Sequence, residues 1–239
     1  MSDSFLKLLK PQNVFLTKKR IGPQEDGGYV MVDYVLENCD ALFTYGVGGD
    51  VRFENDFCEQ YNKPAYLFDH TPSAGSEEPW VKGLLNFTPE GLGFDEKCKQ
   101  ITEHCAERNI SSGILLKIDI EGYELDYFTD NRVPSIGSSV MGLIIEVHWI
   151  QDETNREKFI KMLNTLDENF ILFHIHGNVW GGEWDYNSLT IPRVLELSFV
   201  NRNLVTKYEP DNQDYPIEGL DFTNRGGSTD CDLSFLKTV

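Results

Sequence analysis

Apolar positions along the chain follow two alternating patterns. Continuous runs of strand length, at Ala41–Val47, Ala65–Asp69, Leu84–Thr88, Ile114–Ile120, Gly142–Trp149, Phe170–His176 and Val194–Asn201, alternate with stretches of helical period near Phe53–Asn62, Asp95–Asn109, Glu124–Asp130 and Glu153–Asn169. Unbroken apolar runs belong to strands covered on both faces, and the helices between them supply the crossovers that parallel pairing needs. The pattern predicts an α/β fold around a mainly parallel sheet. In the clearest helix Phe159, Ile160, Leu163 and Leu166 form one stripe while Glu157, Lys158, Lys161 and Glu168 face away, which marks the stripe as core. The connection Gly177–Pro192 is rich in Gly, Trp and Asn and poor in helix formers. The last two strands are therefore expected to pair antiparallel.

Two segments lie outside this alternation. Residues 1–40 carry Leu6, Leu8 and Leu9 and then the turn-rich stretch Arg20–Tyr29 around Gly27 and Gly28, placed to lie over a pocket as a lid. Residues 208–239, rich in Asp, Asn, Pro and Gly and without period, read as a surface-laid tail. No linker, repeat or charge block splits the sequence, so residues 1–239 are expected to form one domain.

Composition narrows the functional classes. With 40% apolar and 25% charged residues the chain is ordinary for a globular protein, which excludes disorder as its main state. Lys and Arg number 21 against 39 Asp and Glu, a net charge of −18, and Lys18-Lys19-Arg20 is the only dense basic cluster. A nucleic-acid partner is not expected, because such sites neutralise phosphates with clustered Lys and Arg. No run reaches the roughly 18 apolar residues of a membrane span, and the first residues do not form a signal peptide, so a soluble, cytoplasmic protein is expected. Cys39, Cys58, Cys98, Cys105 and Cys231 are odd in number and lack Cys-x-x-Cys spacing, which favours reduced, buried thiols.

Ligands of open parallel sheets bind beyond the carboxyl ends of the strands, so polar residues at strand ends are the candidates for chemistry. The first strand ends in Tyr45-Gly46-Val47-Gly48-Gly49-Asp50, a turn whose glycines let backbone approach a ligand. Val51 stands where a dinucleotide fingerprint needs its third glycine, which makes NAD or FAD less expected. Asp69 ends the second strand, about 20 residues on, where a carboxylate can accept from ribose hydroxyls. Loop and carboxylate together suggest an adenosine-bearing cofactor without a pyrophosphate.

Three further strand tips are polar. Strand period places Lys117, Asp119 and Glu121 on one face; Glu146 and His148 stand two apart on the next strand; His174, His176 and Asn178 alternate on the sixth. Buried ionisable groups need partners or a cleft. Two chemical readings are open. Asp119, Glu121, Glu146 and His148 suit a hard divalent ion such as Mg²⁺ or Mn²⁺, an electrophile for a substrate oxygen. Alternatively His148 acts unaided as a general base tuned by Glu146 or Asp119.

With these residues in view the sequence resembles the FkbM-type branch of S-adenosylmethionine-dependent methyltransferases. The resemblance rests on Thr44-Tyr-Gly-Val-Gly-Gly-Asp50 with Phe53-Glu54, on Asp69, on Leu116-Lys-Ile-Asp-Ile-Glu-Gly-Tyr-Glu124 and on Ile145-Glu-Val-His148, and it spans roughly Arg20 to Arg202. It implies a Rossmann-like, seven-stranded, mainly parallel sheet with an antiparallel last strand, as in class I methyltransferases. It implies a cofactor site at Tyr45, Gly46, Gly48, Gly49, Glu54, Asp69, His70 and Asp119, with Gly46 and Gly48 near the methionine part and Asp69 on the ribose. Catalysis would fall to His148, first choice for the base, with Asp119 and Lys117. Acceptor recognition would fall to His174, His176, Asn178, Trp180 and Trp184, the tryptophans stacking on a sugar face. Family members are similar to O-methyltransferases of sugars, macrocycles and other hydroxylated small molecules, so a sugar acceptor is the expectation. Two competing readings are a noncatalytic protein that binds the cofactor or a sugar, and a metal-dependent hydrolase built on the Asp/Glu/His cluster.

Overall fold

Seven strands form the central sheet of the computed structural model, which describes residues 4–71 and 83–238. The first three residues of the N-terminal segment and the last of the tail lie outside the described residues. The strands are β1 (Ala41–Tyr45), β2 (Ala65–Phe68), β3 (Leu85–Thr88), β4 (Ile114–Ile118), β5 (Val140–Val147), β6 (Phe170–Gly177) and β7 (Leu195–Asn201), and their order across the sheet is β6-β7-β5-β4-β1-β2-β3. All pairs are parallel except those of β7, which runs antiparallel to β5 and β6. The reversal comes from the β6–β7 connection, a hairpin of Glu183–Tyr186 with Leu189–Pro192 that offers no helix for a crossover. Asn187 and Ser188 both have positive φ (51° and 65°), as a two-residue hairpin turn of the primed type requires.

Alternation along the strands divides the core into two layers. Ala41, Phe43 and Tyr45 of β1 and Leu143, Ile145 and Val147 of β5 face one layer, where α2 (Ile101–Arg108), α3 (Tyr123–Thr129) and α4 (Glu153–Asp167) pack. Leu42 and Ile144 face the other, covered by Phe53, Phe57 and Cys58 of α1 (Arg52–Tyr61) and by the hairpin of Lys18–Ile21 with Tyr29–Val32. The stripe Phe159, Leu163 and Leu166 of α4 is buried in the first layer. All five cysteines are unpaired, and all but Cys98 are buried. Among the described residues no helix is long and apolar enough to cross a membrane.

The structure corrects some boundaries. Helix α2 starts at Ile101, not Asp95, because Cys98–Lys99 pairs with Gly91–Leu92 and the Gln100/Glu103 capping box then starts the helix. Strands β4 and β5 stop at Ile118 and Val147, so Asp119 and His148 stand at the first positions beyond the sheet. There Glu121 and Trp149 take positive φ and the backbone turns away, which ends the strict alternation expected for Lys117, Asp119 and Glu121.

The tail is not laid on the surface. Tyr215, Cys231, Leu233, Phe235 and Leu236 belong to the core, and Asp211 and Asp221 are buried. Carboxylates taken out of water need partners: Asp211 meets Lys18 Nζ at 3.2 Å, Asp221 meets His174 Nε2 at 2.8 Å, and the partly buried Asp230 meets His176 Nε2 at 3.0 Å.

Candidate active site

A cavity of about 860 Å³ opens beyond the carboxyl ends of β1, β4 and β5, within the usual size range of a small-molecule or cofactor site. Its lining joins Gly46 and Gly48 to Asp69, Lys117, Asp119, Glu146 and His148. Asp26, Gly27 and Tyr29 of the N-terminal segment and Asn178 and Trp180 of the β6–β7 connection complete the wall.

The two glycines serve different ends. Gly46 has φ +79°, and a Cβ there would lie 1.6 Å from the Asp119 carbonyl oxygen, so glycine lets the turn pass against the end of β4. Gly48, at φ +54°, has nothing within 4 Å of its missing Cβ and borders the cavity. Asp69 holds this turn: one carboxylate oxygen accepts from the N–H groups of Val47 (2.9 Å) and Gly48 (3.1 Å), the other from the backbone and hydroxyl of Thr71. Burial pushes the Asp69 carboxyl up, but the donors from Thr71, Val47 and Gly48 outweigh it and leave it below its usual value. Ribose hydroxyls would therefore share a carboxylate already occupied by the glycine turn.

Behind the turn lies a buried ion pair. Glu54, from the first turn of α1, accepts the Thr44 hydroxyl on Oε1 (2.9 Å), with Lys117 Nζ 3.6 Å from the same oxygen. Glu54 Oε2 is buried and has no hydrogen-bond partner. Lys117 lies against the rings of Tyr29 (5.0 Å) and Phe53 (5.8 Å). Burial lowers its proton affinity, yet Glu54, Asp119 and Glu146 more than restore it, and the ammonium stays charged.

His148 is the centre of the second cluster. Glu124, fully buried on α3, accepts both the backbone N–H (2.9 Å) and Nδ1 (3.1 Å) of His148 on one oxygen, and the Gly122 N–H on the other. The ring is thus fixed with Nε2 toward the cavity, 3.5 Å from Glu146, 3.6 Å from Glu121 and 3.8 Å from Asp119. Burial lowers the imidazole's proton affinity, but Glu124, Asp119 and Glu121 raise it above its ordinary value. Asp119 is pushed up to about 6, chiefly by burial, and Glu146 is raised well above the carboxylate range by burial and by Asp119 and Glu196. Glu146 also accepts from Tyr29 Oη (3.2 Å) and Asn178 Nδ2 (3.1 Å), which ties three segments of the wall together.

Of the residues singled out in the sequence, Gly46, Gly48, Glu54, Asp69, His70, Lys117, Asp119, Glu121, Glu146, His148, Asn178 and Trp180 line this one cavity. Tyr45, Gly49, His174, His176 and Trp184 do not. Tyr45 points into the core and meets His104 (3.0 Å). His174 and His176 are corrected from acceptor contacts to anchors of the tail, His176 held between Glu196 (2.9 Å) and Asp230. Trp184 packs beside Tyr186 and Arg156, away from the opening. Asp26 and Tyr29 belong to the Arg20–Tyr29 stretch expected to lie over a pocket, whereas Tyr123 and Trp149 were not anticipated at the wall, nor was Glu124 behind His148. The glutamate's position in the run that ends Gly122-Tyr-Glu124 was its one visible signal.

A seven-stranded sheet in this order, with β7 reversed and a cavity over the ends of β1, β4 and β5, defines the Rossmann-like fold of class I, S-adenosylmethionine-dependent methyltransferases. Residues 24–172 match the methyltransferase FkbM domain, and the chain belongs to that family. No curated protein matches it significantly. Among solved structures it is similar to the fibrillarin pre-rRNA processing protein of Methanococcus jannaschii, with 9% identity, 70% of this chain and 68% of that chain covered, and a TM-score of 0.40. An rRNA methylase of Streptococcus thermophilus aligns at 12% identity over 71% of this chain and 92% of that chain, with a TM-score of 0.38. Similarity at this level carries nothing about the molecule on which the chain acts.

Proposed function

We propose that the protein is an S-adenosylmethionine-dependent O-methyltransferase that acts on a hydroxyl of a small molecule, a sugar or glycan precursor. The observation that carries this reading is one cavity joining the Gly46–Gly48 turn to the Nε2 of His148. The bound cofactor supplies an electrophilic methyl group, and transfer to oxygen requires an aligned hydroxyl and removal of its proton. His148 Nε2 takes that proton, with Glu124 holding the ring from the far side, and Asp119 and Glu146 accept from the acceptor's neighbouring hydroxyls. Asn178 and Trp180 give a polar edge and an aromatic face suited to a sugar. Lys117 is the only Lys or Arg of the lining among the described residues, which favours an acceptor that is not a nucleic acid. The segment with Asp26, Gly27 and Tyr29 closes over this site as a lid.

Thermal melts with S-adenosylhomocysteine and with NAD test the cofactor. At about 100 times its dissociation constant a ligand stabilises by about 2.7 kcal/mol, and that shift is expected with S-adenosylhomocysteine alone. His148→Ala should keep the shift and lose at least about a hundredfold in turnover. Turnover at the wild-type rate would remove His148 as the base.

A second reading is favoured by the spacing of the same cluster. Asp119, Glu146 and His148 place one ligand atom each within 4.8 Å of one another, and the separations from Nε2 exceed an ordinary hydrogen bond. Oxygen donors with one imidazole fit Mg²⁺ or Mn²⁺, which would polarise the acceptor hydroxyl. Stoichiometric Mn²⁺ binding that disappears in Glu146→Gln would establish this reading, and full turnover in EDTA would dismiss it.

A further inference from the structure

The tail beyond β7 carries a residue that the mechanism above leaves without a task. Asn224 is 3% exposed, and its amide nitrogen offers two N–H groups to two carboxylates, Nδ2 lying 3.1 Å from Asp26 Oδ1 and 2.7 Å from Glu196 Oε1. Its Oδ1 is buried and has no hydrogen-bond partner among the described residues, so the carboxylates orient the amide. The backbone carbonyl of Asn224 accepts from Trp180 Nε1 (3.3 Å). One residue thus joins the N-terminal segment, β7 and the β6–β7 connection, across 198, 28 and 44 positions of sequence. Its neighbours brace the same segments. The Arg225 guanidinium stands over the Trp180 ring (5.0 Å). Arg20, which donates to the Pro23 and Glu25 carbonyls and so shapes the loop before Gly27, lies over the ring of Phe222 (5.4 Å).

Asp26 and Trp180 line the cavity, whereas Asn224 stands behind them. Burial pushes the Asp26 carboxyl up, and the Asn224 donor is the largest influence opposing it. A carboxylate accepts from a hydroxyl at one position, and an aromatic ring covers one face of a sugar. The two read a sugar together only at a fixed separation. Resting on the proposed sugar acceptor, we infer that Asn224 is a positioning residue for acceptor specificity: it holds Asp26 and Trp180 in register, so that the hydroxyl orientation the enzyme accepts is fixed from the tail. Position 224 lies outside residues 24–172, which match the family domain. The choice of acceptor is then carried partly by a segment that the shared domain does not include.

D-Glucose, D-galactose and D-mannose are the probes, since galactose and mannose each differ from glucose in the orientation of a single hydroxyl, with S-adenosylmethionine tritiated in its methyl group as donor. The ratio of kcat/KM between the best and the worst of the three does not depend on the fraction of enzyme that is folded, so a merely structural loss leaves it unchanged. Wild-type protein should discriminate by at least about tenfold, the size of one hydrogen bond to a charged group. Asn224→Ala should bring the ratio to within about threefold of one and keep S-adenosylhomocysteine affinity within twofold by titration calorimetry. Hydrogen exchange at 24–28 and 179–182 should quicken about tenfold or more, with that of α4 unchanged. Arg225 is exposed, so Arg225→Met leaves the fold intact; it should lower the ratio about threefold and quicken exchange at 179–182 alone. A wild-type ratio near one, a ratio unchanged in both variants, or a loss of S-adenosylhomocysteine affinity as large as the loss in kcat/KM overturns the positioning role and leaves the methyltransferase reading in place. Transfer to none of the three sugars overturns the sugar acceptor instead. Exchange then decides the positioning role by itself, and unaltered exchange at 24–28 and 179–182 in Asn224→Ala overturns it.

Discussion

Glu124 takes two N–H groups of one residue on a single oxygen and a glycine N–H on the other, an arrangement that glutamine cannot reproduce because one of its two ends is a donor. Glu124→Gln is expected to cost about 1–3 kcal/mol in stability, as a buried N–H loses its acceptor. It should also lower kcat by about tenfold or more, because His148 loses its fixed tautomer. Affinity for S-adenosylhomocysteine should stay within twofold; urea unfolding, steady-state kinetics and titration calorimetry read the three quantities. The glycines offer a sharper contrast. Gly46→Ala forces a methyl group onto the Asp119 carbonyl, so a loss above about 3 kcal/mol, or failure to fold, is expected. Gly48→Ala meets open space and pays only for its backbone angle, about 1 kcal/mol. Comparable urea midpoints for these two variants would contradict the assignment of Gly46 to packing and Gly48 to the cavity edge.

At the level of elements, the seven strands were legible because buried parallel strands are written as unbroken apolar runs, and Lys117, Asp119, Glu146 and His148 stood out as charges at the ends of such runs. What sequence reasoning lost is the partner of each charge. His174 and His176 alternate on β6 as ligand-binding residues would, yet their carboxylates, Asp221 and Asp230, lie in a tail without period. Glu124 is visible only as the end of the run Leu116–Glu124, since nothing local shows that His148, just beyond β5, returns to it. The hairpin of Lys18–Ile21 with Tyr29–Val32 was hidden in the same way, its glycine turn being legible and its strands too short for a pattern. The turn of this hairpin is held by Arg52, which meets Glu25 and the Asp26 carbonyl. If residues 22–29 close over bound cofactor, S-adenosylhomocysteine should slow hydrogen exchange there by about tenfold or more while the exchange of α4 is unchanged. Unaltered exchange across 22–29 would rule out the lid.

For the whole molecule, the tail anchors set how stability responds to pH. His176 is buried, which lowers its proton affinity, but Glu196 and Asp230 beside it, with Asp221 nearby, raise its pKa to about 10. A histidine that titrates near 6.5 when unfolded and near 10 when folded contributes fully below about 6.5, and that contribution fades as pH rises through about 10. At the acid end Asp221 is pushed up by burial but held below its ordinary value overall by His174 and His176. Its contribution is present above the ordinary carboxylate range and disappears as pH falls through the folded value. Urea midpoints should therefore fall between pH 7 and 10.5 in the wild type, and the fall should be smaller in His176→Gln. An equal slope in the two proteins would remove His176 from the account. The reversed strand β7 has one more consequence, for synthesis. Strand β5 is finished at Val147 and β6 at Gly177, but the strand that joins them ends only at Asn201. While the ribosome makes the intervening residues, two nearly all-apolar strands wait with open hydrogen-bonding edges, the condition under which nascent chains pair with one another. A chain released before Leu195 should aggregate, and the half of the sheet beyond β5 becomes whole only when its centre is delivered last.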